Sequence, residues 1–181
     1  MPVEPRYVLP EPVHNEWIAS VYRYRGYGEE ESACAAKWCG LATRHGIKTH
    51  AALKALHLEE LFGRGAGLCV PGAEIDVLPG PYEAVVRVDA RRKLGQSVAE
   101  WCMNRCCELA DRFGVGVVVV DNAFHYLWGG GYVMEAARRG YIAYTNCTST
   151  LAEVVPFGGT FPTIGTNPHS WAFPTTGLCS C

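Results

Sequence analysis

No apolar run in this sequence reaches membrane-spanning length: the valine-rich stretch Val115 to Val120 is six residues, where a spanning helix needs about 20. Positive charge is not in excess either. Sixteen Lys and Arg stand against eighteen Asp and Glu, a formal net charge of −2, which gives no electrostatic footprint for nucleic acid. Nine cysteines are many for 181 residues, yet no CxxC pair occurs among them. Cys102, Cys106 and Cys107 sit at helical spacing, Cys34 and Cys39 lie on another helix-like run, and the Cys179–Cys181 pair carries no framework. That distribution reads as reduced thiols serving as small core side chains, with no metal site expected. The common catalytic fingerprints are missing too. GRGAG at 63–67 fails GxGxxG because Leu68 occupies the last glycine's place, and it follows a helix rather than a strand. Walker loop, GxSxG elbow and HExxH are all absent. The opening MPVEPRYVLPEPVHNEW has prolines and acids where a secretory signal has a basic start and an apolar stretch. The expectation is a cytoplasmic protein with neither membrane nor nucleic acid as partner.

What is present suits a globular core: 49% hydrophobic and 19% charged residues. Helical spacing is predicted over 16–24, 30–43 and 51–62, the last closed by the glycines of GRGAG, with Leu53, Leu56 and Leu61 on its core face. The character changes in the Pro- and Gly-rich CVPGAEIDVLPGP. EAVVRVD (83–89) reads as a strand, and SVAEWCMNRCCELADRF (97–113) as a helix with Val98, Trp101, Cys102, Leu109 and Phe113 along one stripe. GVGVVVVDN (114–122) is apolar at successive positions, as in a strand covered on both faces. A short helix over 132–139 and a strand over 141–146 follow. Alternation of this kind implies an α/β fold, with a helical unit at 1–75 and an α/β layer at 76–181.

Two histidine neighbourhoods could carry chemistry. In RHGIKTHAALK (44–54), His50 follows Thr49 at a helix start, and Lys54 comes four residues later on the same face. A group that exchanges protons near neutrality beside a cation able to hold a carboxylate suits a 2-oxo acid. On these residues alone a helix-start histidine with a surface lysine is the better account. The second is His125, a few residues past an apolar strand, where ligands gather in α/β sheets. Gly129, Gly130 and Gly131 follow and permit close backbone approach. The plain alternative is a hydrogen-bonded histidine at a strand end. His45 and His57 read as surface or helix-flank residues, and His14 and His169 carry little signal.

RHGIKTHAALK, together with DNAFHYLWGGGYVMEAARRGYI (121–142) and VVPFGGTFPTIGTNP (154–168), resembles three motifs of the malate/L-lactate dehydrogenase family, in that family's order. The resemblance implies a non-Rossmann, mixed-sheet dinucleotide-binding domain and an oxidoreductase that moves a hydride between NAD or NADP and a small 2-oxo or 2-hydroxy acid, often as a homodimer. It implies His50 as proton donor with the Thr49 hydroxyl beside it, and His125 as a histidine next to nicotinamide and substrate, a proton acceptor in one branch. Lys54, where many members have arginine, and Thr166 are implied as substrate contacts. His125, Tyr126, Leu127 and Trp128, with Thr145 and Asn146, are implied as the cofactor-facing stretch. Family members are roughly twice as long, so the resemblance also implies an α/β domain incomplete at its C-terminus. The family's next segment, with an acid that supports the catalytic histidine, has no counterpart after WAFPTTG. Hence the alternative expectation of a truncated, non-catalytic paralogue that binds a related subunit or ligand.

Overall fold

The computed structural model describes residues 8–148 and 152–176. They form two compact units that part after Trp128. Helices give way to strands earlier, at Asp76.

In the first unit, helices α1 (Glu11–Tyr24) and α2 (Glu29–Arg44) pack on each other. Pro12 in the first turn of α1 sacrifices an amide that has no helical partner there. The seam is built from small residues: Ala35, Ala36 and Cys39 leave room for Tyr22, which is fully buried and meets Tyr27 edge-on at 5.5 Å. Helix α3 (Ala52–Phe62) stops at Gly63, as its glycine-rich sequel predicts. Leu56 packs against the core as expected, but the other two leucines do not. Leu53 is 85% and Leu61 47% exposed, whereas Ala55 and Glu59 are fully buried. Glu59 earns its interior position by accepting from the Tyr27 hydroxyl at 2.8 Å and the Arg64 amide at 2.6 Å. Burial raises the pKa of the carboxyl.

Strands β1 (Asp76–Leu78), β2 (Val85–Asp89) and β3 (Val117–Asp121) make a mixed sheet in that order, β1 antiparallel and β3 parallel to β2. The parallel pair is connected by α4 (Gly95–Phe113), the long crossover such a pair demands. Its expected stripe holds: Val98 and Leu109 are buried, and Trp101, Cys102 and Phe113 partly so. Gly114 ends α4 in the left-handed conformation at φ 79°, the position where glycine costs least. Glu100 fastens α4 to α2 by accepting from Lys37, Trp38 and Cys34 at 2.7, 2.8 and 2.9 Å. The expectation that β3 is covered on both faces is corrected here. Burial alternates along the strand, and Val117 and Val119 are 41% and 49% exposed, because α4 covers a single face.

The second unit holds α5 (Gly129–Arg138), β4 (Ala143–Asn146) and β5 (His169–Ala172). The helix starts three residues before the predicted one, taking Gly129, Gly130 and Gly131 into its buried first turn. Strands β4 and β5 pair antiparallel, and Val154 bridges Ile164.

Candidate active site

His50 lies in the turn before α3, which begins at Ala52, so it precedes the helix that it was expected to share with Lys54. Its Nδ1 is 2.9 Å from the Thr49 hydroxyl oxygen. This contact fixes the ring's orientation and leaves Nε2 to face elsewhere. The ring's pKa is lowered, first by partial burial and then by the Lys54 ammonium.

His125 sits on the segment after β3, and that segment is held unusually firmly. Asn122 adopts φ 55° and Leu127 φ 65°, left-handed values that a leucine takes only where its surroundings impose them. Asn122 donates its side-chain amide to Asp89 at 3.0 Å, and its carbonyl accepts from the Arg92 amide at 2.7 Å. The Phe124 amide bonds the Lys93 carbonyl at 3.3 Å. Phe124 and Leu127 pack against the buried core, while Trp128 lies 5.4 Å from the His45 ring at the end of α2.

Within this frame both ring nitrogens of His125 are sealed from solvent and meet no hydrogen-bond partner. A strand-capping histidine with satisfied nitrogens, the plain alternative, is therefore not what is found. Burial, followed by the charge of Lys54, pushes its pKa down to about 4, so the ring is neutral at pH 7. Lys54 thus acts on both imidazoles. In both, burial is the larger cause and the exposed Lys54 ammonium the smaller.

Thr49, His50, Lys54 and the stretch from His125 to Trp128 all belong to the first unit. Tyr126, Leu127 and Trp128 are each partly exposed. Thr145, Asn146 and Thr166 belong to the second. There Thr145 is half-buried on β4 opposite Ser170, Asn146 is exposed opposite His169, and Thr166 is exposed. His169, which the sequence left with little signal, has its Nδ1 2.5 Å from the Tyr144 hydroxyl and stacks on that ring.

Among the described residues, no three His, Cys, Asp or Glu side chains gather as a metal site. Burial pushes the thiols of Cys34, Cys39 and Cys102 up to about 12. These are inert thiols. Cys179 and Cys181 lie outside the described residues.

A family model of malate/L-lactate dehydrogenase matches residues 11–179. The chain belongs to the malate/L-lactate dehydrogenase family. Within it, a 2,3-diketo-L-gulonate reductase of Pasteurella multocida is 43% identical over 95 residues, 52% of this chain and 28% of the relative. A second, from Salmonella heidelberg, is 31% identical over 158 residues, 87% of this chain and 46% of the relative. The malate dehydrogenase of Pyrococcus horikoshii superposes with a TM-score of 0.85 at 27% identity, covering 97% of this chain and 51% of that one. The chain therefore spans about half the length of the relatives it matches, and its mixed helix-and-sheet architecture is that of the family.

Proposed function

We propose that this chain carries the proton-transfer and carboxylate-binding part of an oxidoreductase that interconverts a small 2-oxo acid and its 2-hydroxy acid with NAD or NADP. The observation that supports it most is His125: two buried, unpartnered ring nitrogens on a conformationally constrained loop, under the charge of the same lysine that flanks His50. Buried polar atoms without partners are rare in folded proteins, and they fit a site whose remaining partners come with a ligand.

In this reading Lys54 holds the substrate carboxylate. Its ammonium supplies the charge but not the two-pronged geometry of the arginine that many family members carry, so orientation falls more heavily on the histidines. His50 delivers a proton to the carbonyl oxygen, its free nitrogen aimed by the Nδ1 contact to Thr49. His125, neutral at working pH, accepts or donates one hydrogen bond at the reacting end and excludes water from it. His125, Tyr126, Leu127 and Trp128 hold the nicotinamide cofactor. When bound, that cofactor supplies the hydride. The roles of these residues, a homodimeric assembly and a cytoplasmic setting belong to the same proposal, as does the division of labour between a helical catalytic unit at 1–75 and a cofactor-binding layer from 76 onward. No helix among the described residues is long and apolar enough to cross a membrane. The non-catalytic alternative draws no support from the relatives, which are named reductases and dehydrogenases.

The test is oxidation of NADH or NADPH, followed at 340 nm, with a panel of 2-oxo acids. Turnover should fall by about 100-fold or more in His50→Ala, the scale of a lost general acid. Turnover that survives this change removes His50 from its role, and no turnover with any 2-oxo acid contradicts the activity of this chain.

A further inference from the structure

Gly95 is the first residue of α4 and is buried. It does not occupy the left-handed region, so its backbone does not require glycine. Space does. A methyl group at Gly95 would stand 2.5 Å from the carbonyl carbon of His125, with the carbonyl oxygens of Phe124 and His125 closer still. All three are backbone atoms that no rotamer change can move aside. The preceding residue, Leu94, is fully buried and offers no capping side chain. The loop cannot retreat freely either: Phe124 and Leu127 pack against the core, Leu127 is already left-handed, and the Phe124 amide is bonded to the Lys93 carbonyl.

We propose that Gly95 is a positioning residue for His125: the bare Cα at the head of α4 lets the loop backbone lie against the helix, and this contact sets the depth and direction of the imidazole. The inference rests on the reading of His125 as a ligand-facing ring, but its geometry does not depend on turnover. A side chain here displaces the segment 124–125 outward and brings the ring toward water.

The experiment is an NMR titration of the His125 ring, assigned by its loss in His125→Gln, with thermal unfolding recorded alongside. In the unaltered chain the ring should titrate near pH 4. In Gly95→Ala the midpoint should rise by roughly one pH unit or more as the ring gains solvent. Gly116→Ala is the matched control. Its methyl would meet the Cys106 backbone and, at 2.8 Å, Leu109 Cβ, on the far part of α4. It should lower the melting temperature without moving the His125 midpoint. An unmoved midpoint in Gly95→Ala, or equal movement in Gly116→Ala, overturns the proposal. Should Gly95→Ala not fold, Leu127→Gly is added so that the loop can back away. The double variant should fold and titrate high. If it titrates near pH 4, or does not fold, Gly95 serves the fold at large and not His125. Because the titration needs no substrate, a shifted midpoint in a chain without turnover sinks the functional reading alone, and turnover with an unshifted midpoint sinks this one alone.

Discussion

A neutral, unsatisfied imidazole is an expensive thing to bury, and its cost has a pH signature. His125 titrates near 6.5 in an unfolded chain and at about 4 in the folded one. Between those values the unfolded chain takes up a proton that the folded chain refuses. The ring's contribution is therefore neutral above pH 6.5, and stability declines as the pH falls toward 4, by up to about 3 kcal/mol for a shift of this size. His50 changes in the same direction. Urea denaturation of the parent chain and of His125→Gln across pH 4 to 7.5 should show a steeper acid-side loss in the parent. Parallel curves would mean that the ring is not desolvated. The chemical type of each residue was legible in the sequence. A histidine after an apolar strand was readable as a ligand candidate, but its orphaned nitrogens were not, because satisfaction depends on side chains far along the chain.

The elements explain how such a loop is held. Lys93, in the turn between β2 and α4, donates to Glu31 on α2 at 2.7 Å and to the Ala73 carbonyl at 2.8 Å, while Glu31 also accepts from the Gly72 amide at 2.7 Å. The pair is largely buried, with side-chain exposures of 17% and 8%. The Lys93 carbonyl in turn receives the Phe124 amide. Lys93→Met strands the Glu31 carboxylate and should cost about 3 kcal/mol in chemical denaturation, because a buried charge left alone is worse than no pair. A loss under about 0.5 kcal/mol would mark the pair as a solvated surface contact. Periodicity alone located α4 and its stripe, since an amphipathic helix declares its face in its spacing. It misplaced Leu53 and Leu61 of α3, where Glu59 turns inward with one carboxylate oxygen bonded to Tyr27 and Arg64, and a leucine count does not see hydrogen bonds. It missed β1 and β5, short strands of three and four residues that exist through their pairing partners. It overstated the cover on β3, because a valine run specifies a strand but not how many layers lie over it.

Across the molecule, apolar surface is left open in both units: Val117 and Val119 on β3, and Tyr144, Trp171 and Phe173 on or beside the β4–β5 pair, with Trp171 and Phe173 stacked at 6.3 Å. The chain matches about half of its relatives' length, and exposed patches of this kind are where further polypeptide packs in folded proteins. The candidate site, by contrast, draws its central residues from the first unit alone. Its core is a single relation: Lys54, near the start of α3, charges the surroundings of both His50 and His125. The direct measurement is the NMR titration of both rings in Lys54→Met. Upward movement of both midpoints, in a chain whose melting temperature is little changed, is the predicted result. Movement of only one ring, or of neither, would place the two histidines in separate environments and contradict the account.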